Sequence, residues 1–128
     1  MEEKLNTLTT KLKEIKNIAS AAAILHWDQQ VNMPPGGAEA RAEQIATLEK
    51  LAHEMFIADE IGVWLNDLAD AGFAYDSDEA SLVRVVQHDY ERARKLPPEL
   101  VEEMSLTFAR GHQIWVKARA DKDFSQFQ

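Results

Sequence analysis

Leu5, Leu8, Leu12, Ile15, Ala19, Ala22 and His26 recur at alternating three- and four-residue steps along the start of the chain. In a helix of about 3.6 residues per turn, those steps draw one continuous stripe, tight enough to look like a heptad seam. Lys4, Lys11, Lys13, Glu14 and Lys16 fall off it. Ala19 and Ala21 to Ala23 leave little side chain in the way of a neighbouring helix. A chain that opens like this has to bury its stripe against other helices.

The remainder reads as more helices in series. Met33-Pro34-Pro35-Gly36-Gly37 stops the first one, because proline disfavours helical backbone at the preceding residue and two glycines follow. A second helix restarts near Ala38, with Ile45, Leu48, Ala52 and Met55 on one face. Asp59 reads as the N-cap of a short third helix carrying Ile61, Leu65 and Leu68, with Gly72 as its stop. Asp76 and Glu79 fit a capping box for a fourth, carrying Leu82, Val85, Val86 and Ala93. Pro97-Pro98 closes that segment and opens a fifth, carrying Val101, Met104, Phe108, Trp115 and Ala118. No stretch alternates with period two. The predicted fold is all-α: about five antiparallel helices in a bundle-like layer, with a long helical hairpin at the N-terminus. At 128 residues, and with no internal repeat or long linker, residues 1–128 form one region.

Charge and composition narrow the function classes. The net charge is −8, and residues 57–80 hold seven acids and no Lys or Arg. Such a surface repels nucleic acid and anionic membrane, so neither is an expected partner. The longest apolar run, Ala21 to Leu25, is far short of a membrane span. Cys is absent, which excludes thiolate zinc, iron–sulfur clusters and a Cys nucleophile. With Glu2 and Glu3 where a secretory leader carries bases, it points to a cytoplasmic chain.

The groups that do chemistry are scattered. His26, His53, His88 and His112 lie 27, 35 and 24 residues apart, so no two sit on adjacent turns of one helix. A zincin helix needs His at i and i+4 around a Glu base; His53-Glu54 begins that pattern and Ile57 ends it. His53 is expected to pair with Glu49 one turn back, and His112 to be a core or edge histidine. His26 closes the first stripe, and His88 neighbours Asp89. No His has Glu three residues before it, which excludes a di-iron carboxylate bundle. The Ser residues sit in helical or capping contexts, and Gly36-Gly37 lacks the spacing of a phosphate loop. The acidic stretch reads as a solvated face.

One segment says more. Trp27-Asp28, then Met33-Pro34, a Gly-containing turn, and Arg41 and Gln44 on the next helix form a connected signature. Read as a plain hairpin, Trp27 caps a core, Asp28 bonds backbone and the Pro-Gly run turns the chain. The run also resembles the amino-terminal signature of the thermostable carboxypeptidases, cytoplasmic HExxH metallocarboxypeptidases of bacteria and archaea. Leu51-Ala52-His53-Glu54, Trp115 to Arg119 and Asp123-Phe124 extend the likeness over nearly the whole chain. Family members often carry an acid and a Thr where Gln30 and Val31 stand.

The resemblance implies an N-terminal helical segment of a longer enzyme, an excised piece or a truncated gene product, which shapes or covers a substrate groove. The parent would release C-terminal amino acids from peptides through water activated by zinc or cobalt. Its HExxH helix, third ligand and carboxylate-binding arginines lie beyond this chain, which alone is expected to have no cofactor and no activity. No catalytic or metal residue carries over; Trp27, Asp28, Met33, Pro34, Arg41 and Gln44 are structural. The implied partners are the rest of the parent chain, its peptide substrates and a homodimer.

Two other classes stay open: a stand-alone helical module dimerising through the Leu5–Ala22 seam, and a regulatory relic pairing with a separately encoded catalytic chain. Two structural expectations follow from the residues. A buried Trp27 would cost roughly 3–5 kcal/mol to truncate, and Arg41 would pair with Asp28 across the turn. Phe108, Trp115, Phe124 and Phe127 exceed what a short terminal helix buries, so an apolar surface is expected there.

Overall fold

A computed structural model describes residues 2–125; Phe127 lies outside them. The described residues form five α-helices and no strand: α1 (Glu2–Val31), α2 (Ala38–Phe56), α3 (Asp59–Ala69), α4 (Asp78–Ala93) and α5 (Pro98–Asp121). A single 3-10 turn, Pro35–Gly37, joins α1 to α2. The expected class and long N-terminal hairpin are therefore present.

Ion pairs and hydrogen bonds give the helix directions. Lys4 pairs with Asp67 and Lys11 with Glu60, so α1 and α3 run antiparallel. Gln87 reaches Asn66 and Arg94 reaches Asp59, which does the same for α4 on α3. Glu39 pairs with Arg110 and Lys50 with Glu102, which sets α5 antiparallel to α2.

Two zones differ in what they bury. The first half of α1, with α3 and α4, encloses Leu8, Ile61, Leu65, Leu68, Val83, Val86 and Tyr90. Phe56 at the end of α2 meets Tyr90 edge to face at 6.2 Å. This is the core, and it absorbs much of the opening stripe: Leu8 is fully buried, with Leu5 and Leu12 packed on the cluster. In the second zone α2 packs against the second half of α1 on one side and α5 on the other. Its buried residues are mostly small: Ala22, Ala42, Ala46, Ala52, Ser105, Ala109 and Ala118, with Ile45 and Gln29 the larger ones. Short side chains let helix axes come close, so this layer gains contact but encloses little bulky apolar volume.

Several local expectations are corrected. Asp59 is not the N-cap of α3: Ala58 holds that position in extended backbone, and Asp59 is already helical. A carboxylate there still faces the positive helix end. The cap of α4 is Ser77 rather than Asp76, its hydroxyl accepting from Ala80 N at 3.1 Å and donating to the Ala74 carbonyl at 2.6 Å. On α4 the buried residues are Val83, Val86 and Tyr90, while Val85 faces water, because α3 lies on the other side of the helix. Gly72, with φ of 82°, reverses the chain after α3 as expected of a glycine stop.

On α5 the expected apolar surface is present at Phe108 and Trp115. Met104 is exposed with them, and the buried positions are Ser105, Ala109 and Ala118. Close approach to α2 selects small residues at Ser105 and Ala109, so the bulky ones point away from the fold.

Candidate functional site

The hairpin signature assembles at one end of the α1–α2 pair. Asp28 sits in the last turn of α1, and its carbonyl accepts from both Asn32 N and Met33 N at 2.9 Å. Pro34, extended at φ −64° and ψ 147°, then turns the chain into Pro35–Gly37. The half-buried Met33 packs on Gly37. From α2, Arg41 donates to Asp28 Oδ2 at 2.7 Å, to the Leu25 carbonyl at 3.3 Å and to Gln44 Oε1 at 3.3 Å. The structure thus brings Asp28, Arg41 and Gln44 together. Trp27 departs from expectation: it is 60% exposed, because it lies on the face of α1 turned away from α2.

A neighbour that sequence reasoning missed is Gln29. It is buried on α1, and its side-chain amide nitrogen has no hydrogen-bond partner among the described residues. Its spacing of seven from the buried Ala22 was the available signal; its polarity hid it. Ser105 Oγ is similarly buried and unpartnered on α5.

The outer side of the turn meets α5. Arg110 Nη2 donates to Glu39 Oε1 at 2.6 Å, and that bond holds the Glu39 carboxyl below the usual glutamate range. Pro35, Ala42, Ala109, Arg110 and Ile114 line an open groove of about 490 Å³ beside this pair.

The histidines have separate roles. His26 Nε2 lies 3.0 Å from Glu49 Oε1, joining α1 to α2. Glu49 is therefore not the partner of His53, as expected from their spacing. His53 Nε2 instead lies 2.7 Å from the Leu96 carbonyl, beyond α4. Both helix faces turn toward neighbouring elements, so cross-helix partners win over the one-turn pair. His88 is exposed, and His112 stacks on Trp115 with ring centroids 6.3 Å apart. Among the described residues, no three His, Asp or Glu side chains converge as metal ligands would. This donor set does not fit a catalytic zinc, which takes about three protein ligands.

The signature, wrapped by a helical layer, matches known proteins. The family model described as "Carboxypeptidase Taq (M32) metallopeptidase" matches residues 7–128. The chain belongs to the M32 carboxypeptidase family.

Relatives of this M32 chain are much longer. "Thermostable carboxypeptidase 1" of Thermus thermophilus is 34% identical over 117 residues, 90% of this chain and 23% of that protein. Its namesake in Pyrococcus furiosus is 32% identical over 126 residues, 98% of this chain and 25% of that protein. A solved structure described as "BsuCP Crystal Structure" superposes with a TM-score of 0.91 at 25% identity, over 98% of this chain and 25% of that one. The chain thus spans about a quarter of the relatives it matches, an N-terminal portion of the family. None of its described helices is long and apolar enough to cross a membrane.

Proposed function

We propose that this chain is the N-terminal helical portion of a metal-dependent carboxypeptidase, and that it shapes or covers the peptide groove while the rest of the enzyme supplies metal and base. The observation that carries this is the coverage: nearly the whole chain keeps the fold of a quarter of a solved relative. The scattered histidines support the division of labour, since His26, His53 and His112 engage different groups of the helical layer and His88 is exposed. In this scheme the Asp28–Arg41 joint fixes the angle between α1 and α2, and so the shape of the wall offered to peptide. Zinc or cobalt is the parent's metal, peptides are its substrates and the cytoplasm its compartment, in keeping with a chain without Cys.

The test is a chimera in which this chain replaces the matching quarter of the Thermus thermophilus carboxypeptidase. With zinc or cobalt it should release the C-terminal residue of a blocked dipeptide. A folded chimera that binds metal but releases nothing, beside an active parent, would contradict the assignment.

A further inference from the structure

We propose that the outer face of α5, formed by Leu100, Met104, Phe108, Gly111 and Trp115, is the surface on which the remaining three-quarters of an M32 chain docks; the proposal rests on reading this chain as part of such an enzyme. At about 100° per residue these five positions fall within roughly 80° of one another, on the side away from the buried Ser105 and Ala109; the third buried residue, Ala118, lies in line with Leu100 but beyond Trp115, near the end of the helix. Phe108 is 66% exposed and Trp115 41%, on a helix whose inner face is already occupied by α2. The Trp115 indole is held in place, stacked by His112 and flanked by the Arg119 guanidinium 5.2 Å from its ring. A contiguous apolar stripe of this kind marks an interaction surface.

Gly111 is an independent observation. It sits inside a 24-residue helix, where glycine is unfavourable relative to alanine, yet a Cβ there would meet nothing within 4 Å. Nothing among the described residues requires a glycine at that point. A backbone approaching from outside, between Phe108 and Trp115, does. The occupant follows from length: a relative holds the same fold in 25% of its chain, so three-quarters of that molecule lies outside it and available to cover the stripe.

The experiment compares the isolated chain with the chimera described above, by hydroxyl-radical footprinting and thermal melting. Residues 100–115 should lose most of their oxidation in the chimera. Gly111→Leu should leave the melting temperature of the isolated chain unchanged or raised, and lower that of the chimera. Equal oxidation of the stripe in a folded chimera would overturn the docking surface, whereas the chimera's peptidase activity judges the family role separately. If the chimera does not fold, the isolated chain decides. Phe108→Asp with Trp115→Asp should preserve its melting temperature and abolish its binding of an apolar dye. A large loss of melting temperature would place the stripe in this chain's own core. A dimer that those substitutions dissolve would assign the face to a second copy. Either result overturns the proposal.

Discussion

Arg41 reaches back across the hairpin to Asp28, its Nη1 2.7 Å from the carboxylate and 3.3 Å from the Leu25 carbonyl. The last turn of α1 has no basic residue of its own, so Arg41 also places a cation at the negative end of that helix. Both side chains are largely covered, which strengthens the pair relative to one in open water. Arg41→Ala should therefore cost about 1–2 kcal/mol in urea unfolding, because it leaves a half-buried carboxylate unpaired. Arg41→Lys should cost less but not nothing, since it keeps the charge and loses the fork. An unchanged midpoint for Arg41→Ala would remove the joint from the account.

Trp27 should behave as a surface residue. With most of its indole in water, Trp27→Ala is expected to cost less than about 1 kcal/mol, not the several expected of a core tryptophan. Calorimetric melting distinguishes the two, and a fall of ten degrees or so would mean the indole is covered.

Gly62 on α3 is a packing glycine. A Cβ there would lie 2.6 Å from the Tyr90 hydroxyl and 3.0 Å from the ring, and Tyr90 is buried against Phe56. Gly62→Ala gains helix propensity but overpacks the α3–α4 contact, for a net loss of about 1–2 kcal/mol. Removing the hydroxyl with Tyr90→Phe should recover part of that loss. A stabilising Gly62→Ala would show that α4 shifts freely.

The α2–α5 contact should respond to pH. The hydrogen bond from Arg110 lowers the Glu39 pKa, so the pair stabilises the fold above the usual glutamate range and loses that effect as pH falls through the depressed value. At the other end, the Lys50 pKa is raised chiefly by its bond to Glu102, so that effect is present below the usual lysine range and is lost as pH rises through the raised value. The melting difference between wild type and Glu39→Gln should thus shrink below about pH 4 and in high salt. A difference independent of pH would contradict it.

Periodicity made the helices legible, but not which way each one faces. On α3 the apolar positions Ile61, Leu65 and Leu68 are also the core positions, because neighbours flank a short helix whose bulky residues fill the core. On α5 the period alone does not decide; the excess of Phe108 and Trp115 on a terminal helix is what points to an exposed surface. The inner side of the helix packs close through Ser105 and Ala109, so the bulky stripe is the outer one, and a 3.6-residue period carries no sign. Of the signature, Asp28 and Arg41 could be paired from their places across a Pro-Gly turn. The His26–Glu49 bond could not, since it depends on how α1 and α2 are rotated against each other.

Zinc titration of the isolated 128-residue chain, followed by assay of C-terminal amino-acid release, tests most directly whether the family's metal chemistry lies outside this segment. The account predicts no sub-micromolar zinc site and no metal-dependent release, because none of His26, His53, His88 and His112 joins a group of three His or carboxylate side chains among the described residues. Tight zinc binding together with metal-dependent release of C-terminal residues would contradict it.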